Sequence, residues 1–414
     1  MPSSISSSDA TVLTSDTVAY IAPAPVRETA ADRPGVAQPV PLRPVPAQPW
    51  NRIFVGMLVL FALLLGAWEW HWRAFGAKPT IANSAGLWSI QRRRIDNGEG
   101  DAIVLLGASR ILFDVQLDVW ERVAGKRPIQ LALEGTSPLM FMEDLAEDPK
   151  FTGHLLVGVA PDLFFSGYAY RGDVFKYYRK ESPAQRVGQW LSQHFVEPYF
   201  AFDDPDFALA TVLKRQDWPA RPGKRWGTDV RKLRVSEADR NTHIWEKVEN
   251  DTEYRALARS IWLQEFVPSD DDPPPEKMQQ LLNEQIERSV AAVAKLRARG
   301  VQVLFVRPPS TGPYLEFENK VLPRAKTWDV LLARTGARGI HFEDYPEMQG
   351  LELPEWSHLT HADANRFTQA LVRVIQRDFW KEATTPQATS ANAAPTSIPL
   401  LATAASPGTE TIAD

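Results

Sequence analysis

Between residues 102 and 380 the chain alternates short apolar blocks with longer stretches of helical period. Residues 102–106, 128–133, 154–159, 301–306 and 339–342 are short, mostly apolar runs. Such runs suit strands buried on both faces. Between them lie stretches in which apolar positions recur every three or four residues. Val115, Val119 and Val123 mark one, closed by Gly125, since a glycine just past a helix readily takes the left-handed cap. Residues 79–98, 137–146, 276–299, 316–334 and 362–379 read as helices too, with Leu281, Leu282, Ile286, Val290, Val293 and Leu296 forming a stripe in the longest. Strand alternating with helix predicts an α/β fold whose five strands are parallel and joined by right-handed crossovers.

The rhythm stops between residues 166 and 275. No strand period is evident there, and aromatics are frequent, among them Tyr168, Tyr170, Trp190, Phe195, Tyr199, Trp218, Trp226, Trp245 and Trp262. The segment reads as an insertion whose aromatics belong mostly to a core, with exposed rings for a sugar as the alternative. Within it, residues 214–234 carry eight Lys and Arg against two Asp, a solvated basic loop or a surface for anionic partners. Asp270, Asp271, Asp272 and the three prolines after them read as a linker.

A different pattern precedes the body. Residues 53–68 contain no charge, and extending the run to about 51–73 reaches the length of a bilayer core. Trp50 stands before it, with Trp68, Trp70 and Trp72 at its far end, as aromatic rings do at membrane interfaces. A transmembrane helix is predicted, with Glu69 at the headgroup level. Arg43 and Arg52 on one side balance Arg73 and Lys78 on the other, so charge does not orient it. Residues 1–50, with nine prolines by residue 49, and residues 382–414, rich in Ala, Thr, Ser and Pro, read as disordered tails.

Composition adds exclusions. The 414 residues carry a net charge of −5, which gives no global footprint for nucleic acid. Cysteine is absent, so disulfides and thiolate metal sites are ruled out. Neither a P-loop nor a dinucleotide glycine pattern occurs, and the sequence implies no cofactor and no metal.

The candidate chemistry sits at strand ends. The first strand runs into Gly107-Ala108-Ser109-Arg110, which leaves the Ser109 hydroxyl either capping the next helix or facing the crevice where open α/β sheets bind ligands. Far downstream, Glu355 and His358 stand three apart. A serine becomes an effective nucleophile when an imidazole takes its proton and a third group fixes the imidazole's tautomer. Ser109, His358 and Glu355 supply those catalytic roles. His361 competes for the base, and His358, His361 and Asp363 are also readable as metal ligands. Arg110 and Arg307, both just beyond strands, either bind a substrate carboxylate or form structural salt bridges.

The glycine-serine turn after the first strand and the Glu355-x-x-His358-Leu359 segment before the last helix resemble the SGNH, or GDSL-like, hydrolase superfamily. The resemblance covers roughly residues 102–380, apart from the insertion. It implies a flavodoxin-like three-layer sandwich over about residues 79–381 and a serine esterase or O-acyltransferase. It also implies an oxyanion hole made by the Ser109 amide and Gly135. The family usually has Asp where this chain has Glu355, and an asparagine donor after the third strand, where this chain reads Gly158-Val159-Ala160-Pro161-Asp162. Loss of one such donor typically costs about a hundred- to a thousandfold in rate. Membrane-anchored bacterial members commonly face the periplasm from the inner membrane. The resemblance therefore implies acyl esters of an envelope glycan as substrate and a membrane-bound O-acyltransferase as partner. The alternative is a non-catalytic binding or scaffold subunit that keeps the fold.

Overall fold

The computed structural model describes residues 48–215, 231–266 and 273–380. The two tails, the basic stretch around residues 221–225, Trp218, Trp226 and the three consecutive aspartates lie outside the described residues. Contacts divide the chain inside its first long helix, between Leu63 and Leu64. That helix, Trp50–Phe75, is long and apolar enough to cross a membrane, and none of its residues is buried.

The body is built on five parallel strands: β1 (Ile103–Leu106), β2 (Ile129–Gln130), β3 (His154–Gly158), β6 (Gln302–Arg307) and β7 (Arg338–His341), in the order β2-β1-β3-β6-β7. Each occupies a run that the apolar pattern marks. Successive residues alternate between two cores, as the period of a strand demands. Val104, Leu106, Leu155, Val157 and Phe305 point to one face, where helices Ala85–Asp96, Leu139–Glu147, Pro275–Ala298 and Trp328–Thr335 cover them. Leu105, Leu156, Leu304 and Val306 point to the other, against Ser109–Asp114, Leu117–Ala124 and His361–Val374. Gly125 caps its helix at φ +76°, as the sequence predicts.

Two expectations are corrected. The single helix over 316–334 is two, Gly312–Val321 and Trp328–Thr335, with a 3-10 turn between them. Pro323 explains the break, because its ring and missing N–H stop a helix. The insertion is not strandless: β4 (Arg234–Ser236) and β5 (Thr242–Ile244) form an antiparallel hairpin. From this hairpin the buried Arg240 donates to the carbonyls of Gln130 and Ala132, both at 2.6 Å. That covers the open edge of β2, a hazard that exposed edges otherwise present. The insertion's aromatics divide: Trp245 is core, whereas Tyr170, Trp190, Phe195 and Tyr199 are exposed.

Candidate functional site

The sheet order reverses at β1 and β3, the kind of switch point beyond whose strand ends open α/β sheets bind ligands. Gly107 and Gly158 flank it, one after β1 and one at the end of β3. A Cβ at Gly107 would lie 2.5 Å from Ile111 Cγ1, and one at Gly158 2.0 Å from it. The two glycines thus let Ile111 drop onto the sheet, which seats the short helix Ser109–Asp114 directly over the switch point. Ser109 is the first residue of that helix. Ala108 is its cap, and no side chain makes the cap bond. Ser109 is half-buried and its hydroxyl makes no hydrogen bond, so it does not cap the helix.

The loop before His361–Val374 lies along this helix. Arg110 Nε donates to Ser357 Oγ at 3.3 Å, the Phe113 ring sits 4.4 Å from the His358 ring, and Asp114 Oδ1 accepts the Leu359 amide at 3.0 Å. Ser109 and Phe113 are four apart, so they lie on one side of this short helix. Within the loop, Trp356 takes φ +73°, a strained conformation for a bulky residue of the kind that gathers at functional sites. Its carbonyl accepts the Thr311 amide at 3.0 Å.

His358 is buried. Its Nδ1 lies 2.7 Å from Glu355 Oε1, which also accepts the His358 amide at 2.7 Å. Trp262 Nε1 donates to the other oxygen, Oε2, at 2.5 Å. A carboxylate on Nδ1 fixes the proton there and leaves the lone pair on Nε2. Nε2 is buried and has no hydrogen-bond partner. Trp262 comes from the insertion, 93 residues away in sequence, and no sequence signal singles it out from the other aromatics.

Gly135 reaches the same rim by register. The Leu133 amide donates to the Gly107 carbonyl at 2.9 Å; Ser109 and Gly135 each stand two residues beyond that pair. Gly135 has φ +59°, and its carbonyl accepts the Tyr170 amide at 3.4 Å. After β3 the chain enters helix Pro161–Phe164, where the Asp162 carboxyl accepts the Tyr314 hydroxyl at 2.7 Å.

Arg110 and Arg307 occupy the salt-bridge alternative. Both are buried, and Glu318 lies between them, with Oε1 2.9 Å from Arg110 Nη1 and Oε2 2.7 Å from Arg307 Nη2. Arg307 also donates to Ser310 Oγ at 2.9 Å, and Arg110 stacks on the Tyr314 ring. Burial pushes the Glu318 carboxyl up, but Arg110 and Arg307 outweigh it and hold it below the usual range. Asp162, in the same cluster, is raised by its burial. Glu318 thus pairs with both guanidinium groups, while Arg110 Nη2 is buried without a hydrogen-bond partner.

His361 does not compete for Glu355. Its ring stacks on His243 at 4.0 Å, and its amide donates to Glu249 at 2.5 Å. Asp363 turns to the Glu352 amide and to Arg366, so His358, His361 and Asp363 do not converge. Asp114, which no sequence pattern singles out, is fully buried beside the loop. Its burial pushes the carboxyl up to about 7, against the pull of His358, the Leu359 amide and Arg110. Compared with protein-family models, with curated proteins and with solved structures, the chain matches none of them.

Proposed function

We propose that this chain is a membrane-anchored serine ester hydrolase or O-acyltransferase of SGNH type, built on a flavodoxin-like three-layer sandwich. The observation that carries the reading is His358: one ring nitrogen is held by Glu355, and the other is buried and unpartnered, in a ring that packs against Phe113 of the Ser109 helix. An unpaired buried polar atom is costly in a folded protein, and a base awaiting the proton of a nucleophile or substrate is a physical reason to keep one. In this reading Ser109 Oγ attacks an ester carbonyl carbon and passes its proton to His358 Nε2. Glu355 keeps Nδ1 protonated and offsets the imidazolium charge. The Ser109 and Gly135 amides donate to the oxyanion. His358 returns the proton to the leaving alcohol, and the acyl group passes to water or to a sugar hydroxyl. The substrate class is an acyl ester of an envelope glycan, with the body on the periplasmic side of a bacterial inner membrane.

The test is labelling of the detergent-solubilised full chain by a fluorophosphonate. The wild type should label and Ser109→Ala should not; equal labelling of both removes Ser109 from the mechanism. The absence of a hydrogen bond between Ser109 and His358 favours a second reading, a non-catalytic binding subunit. That reading predicts no labelling of either protein.

A further inference from the structure

The helix Pro183–Phe195 is amphipathic, but it presents the opposite face to that of an ordinary surface helix. Its polar side meets the body, where Gln189 accepts the Ser84 hydroxyl at 2.8 Å and packs over Gly86. Its apolar stripe faces outward: Val187, Trp190, Leu191 and Phe195 are 56, 50, 45 and 59% exposed, and no residue of the helix is buried. Tyr199 and Phe200 continue the exposed surface. A soluble surface rarely carries so contiguous an apolar patch without a partner.

The segment that follows in the same chain bears on what that partner is. The segment following the patch is bound to the last turns of Trp50–Phe75. Glu69 accepts the amides of Ala201 and Phe202 at 3.0 and 2.9 Å, and Arg73 donates to the Tyr199 carbonyl at 2.8 Å. Trp72 stacks on Phe207 at 4.5 Å. These residues directly follow the uncharged run 53–68, so where that run enters a bilayer, Trp68–Trp72 stand at its edge. Tyr199, at the end of the patch, is held there through Arg73. Trp, Tyr and Phe beside an anchor are the residues that settle at the headgroup boundary.

We infer that Pro183–Phe195, with Tyr199 and Phe200, is a second membrane contact, lying in the interfacial layer of the bilayer beside the anchor. The inference rests on Trp50–Phe75 entering a bilayer and not on the catalytic reading. It fixes the body against the lipid at two places, so that the body does not swing on a single helix.

The chain has no cysteine, which gives a clean probe. Leu191→Cys and Val187→Cys, each labelled with an environment-sensitive nitrobenzoxadiazole dye, are placed in the full chain in phosphatidylcholine–phosphatidylglycerol vesicles. Arg334→Cys, at a residue remote in sequence and exposed, is the reference. Lipids carrying a doxyl group near the headgroup should quench the dye at 187 and 191, since an interfacial helix buries its apolar face at the headgroup boundary, with aqueous iodide ineffective, and the reverse should hold at 334. Iodide quenching at all three positions would overturn the inference. Shielding of 187 and 191 from both quenchers would overturn it too, in favour of a protein partner or a second copy. A chain that alkaline carbonate strips from the vesicles would remove the anchor and the inference together.

Discussion

Asp114→Asn isolates the most unusual charge at the rim. Asp114 ends the helix that begins at Ser109; it is fully buried, Oδ1 accepts the Leu359 amide at 3.0 Å, and Oδ2 has no hydrogen-bond partner. Burial pushes its carboxyl up to about 7, while an unfolded chain leaves an aspartate near 3.9. Three units at about 1.4 kcal/mol each give roughly 4 kcal/mol of linkage between this proton and folding. The sign follows from which state holds the proton. Below the unfolded value both states are protonated and the group costs nothing. Between the two values the folded state keeps a proton that the unfolded state has released, so stability falls as pH rises. Above about 7 the full penalty is present.

Asparagine keeps the shape and the acceptor for Leu359 but cannot ionise. The variant's stability relative to wild type should therefore rise by about 2.5–3 kcal/mol between about pH 5 and about pH 8. A constant offset from an unsatisfied Nδ2 of about 1–3 kcal/mol appears equally at both. Urea unfolding of the full chain in detergent, followed by tryptophan fluorescence, measures both. If the difference between variant and wild type were the same at the two pH values, Asp114 would not titrate in the folded protein, and the account of its burial would be wrong.

Other perturbations test the neighbouring groups. Glu318→Gln leaves Arg110 and Arg307 buried without their shared carboxylate and should cost about 3–5 kcal/mol in the same unfolding assay; a loss under about 1 kcal/mol would mean that water reaches the pair. Glu355→Gln removes the acceptor that fixes the His358 tautomer. Under the catalytic reading it should slow fluorophosphonate labelling by up to about four orders of magnitude with little change in folding, and an unchanged rate would deny Glu355 its orienting role.

How far the sequence disclosed this arrangement depended on the range of the forces involved. The five strands were legible because burial on both faces leaves a continuous apolar run, and burial is a property of each residue. The Glu355–His358 hydrogen bond was legible because the two lie three apart. The hairpin of β4 and β5 was not. Its strands have three residues each, too few for a period to register, and Arg240 binds it to β2 over more than a hundred residues of sequence. Trp262 and Asp114 were hidden for the same reason, since each acquires its role from a partner far along the chain. Arg110 and Arg307 could be read two ways because their shared partner Glu318, which stands in an expected helix, lies far along the chain from Arg110 and eleven residues from Arg307.

The helix Ser109–Asp114 shows why these hidden contacts matter. Six residues are far too few to hold a helix alone, so tertiary contacts set its position. Ile111 fixes its height above the sheet through two glycines, and Arg110, Phe113 and Asp114 tie it to Ser357, His358 and Leu359 in turn. The position of the helix against the loop is thus set by consecutive residue pairs along the two, not by the freedom of either segment. The same rim keeps a buried carboxylic acid and two arginines on one glutamate, where apolar residues would typically give equal or greater stability. Under the catalytic reading, such groups beside an unpartnered imidazole hold geometry at some cost to stability, as perturbed groups at functional sites do.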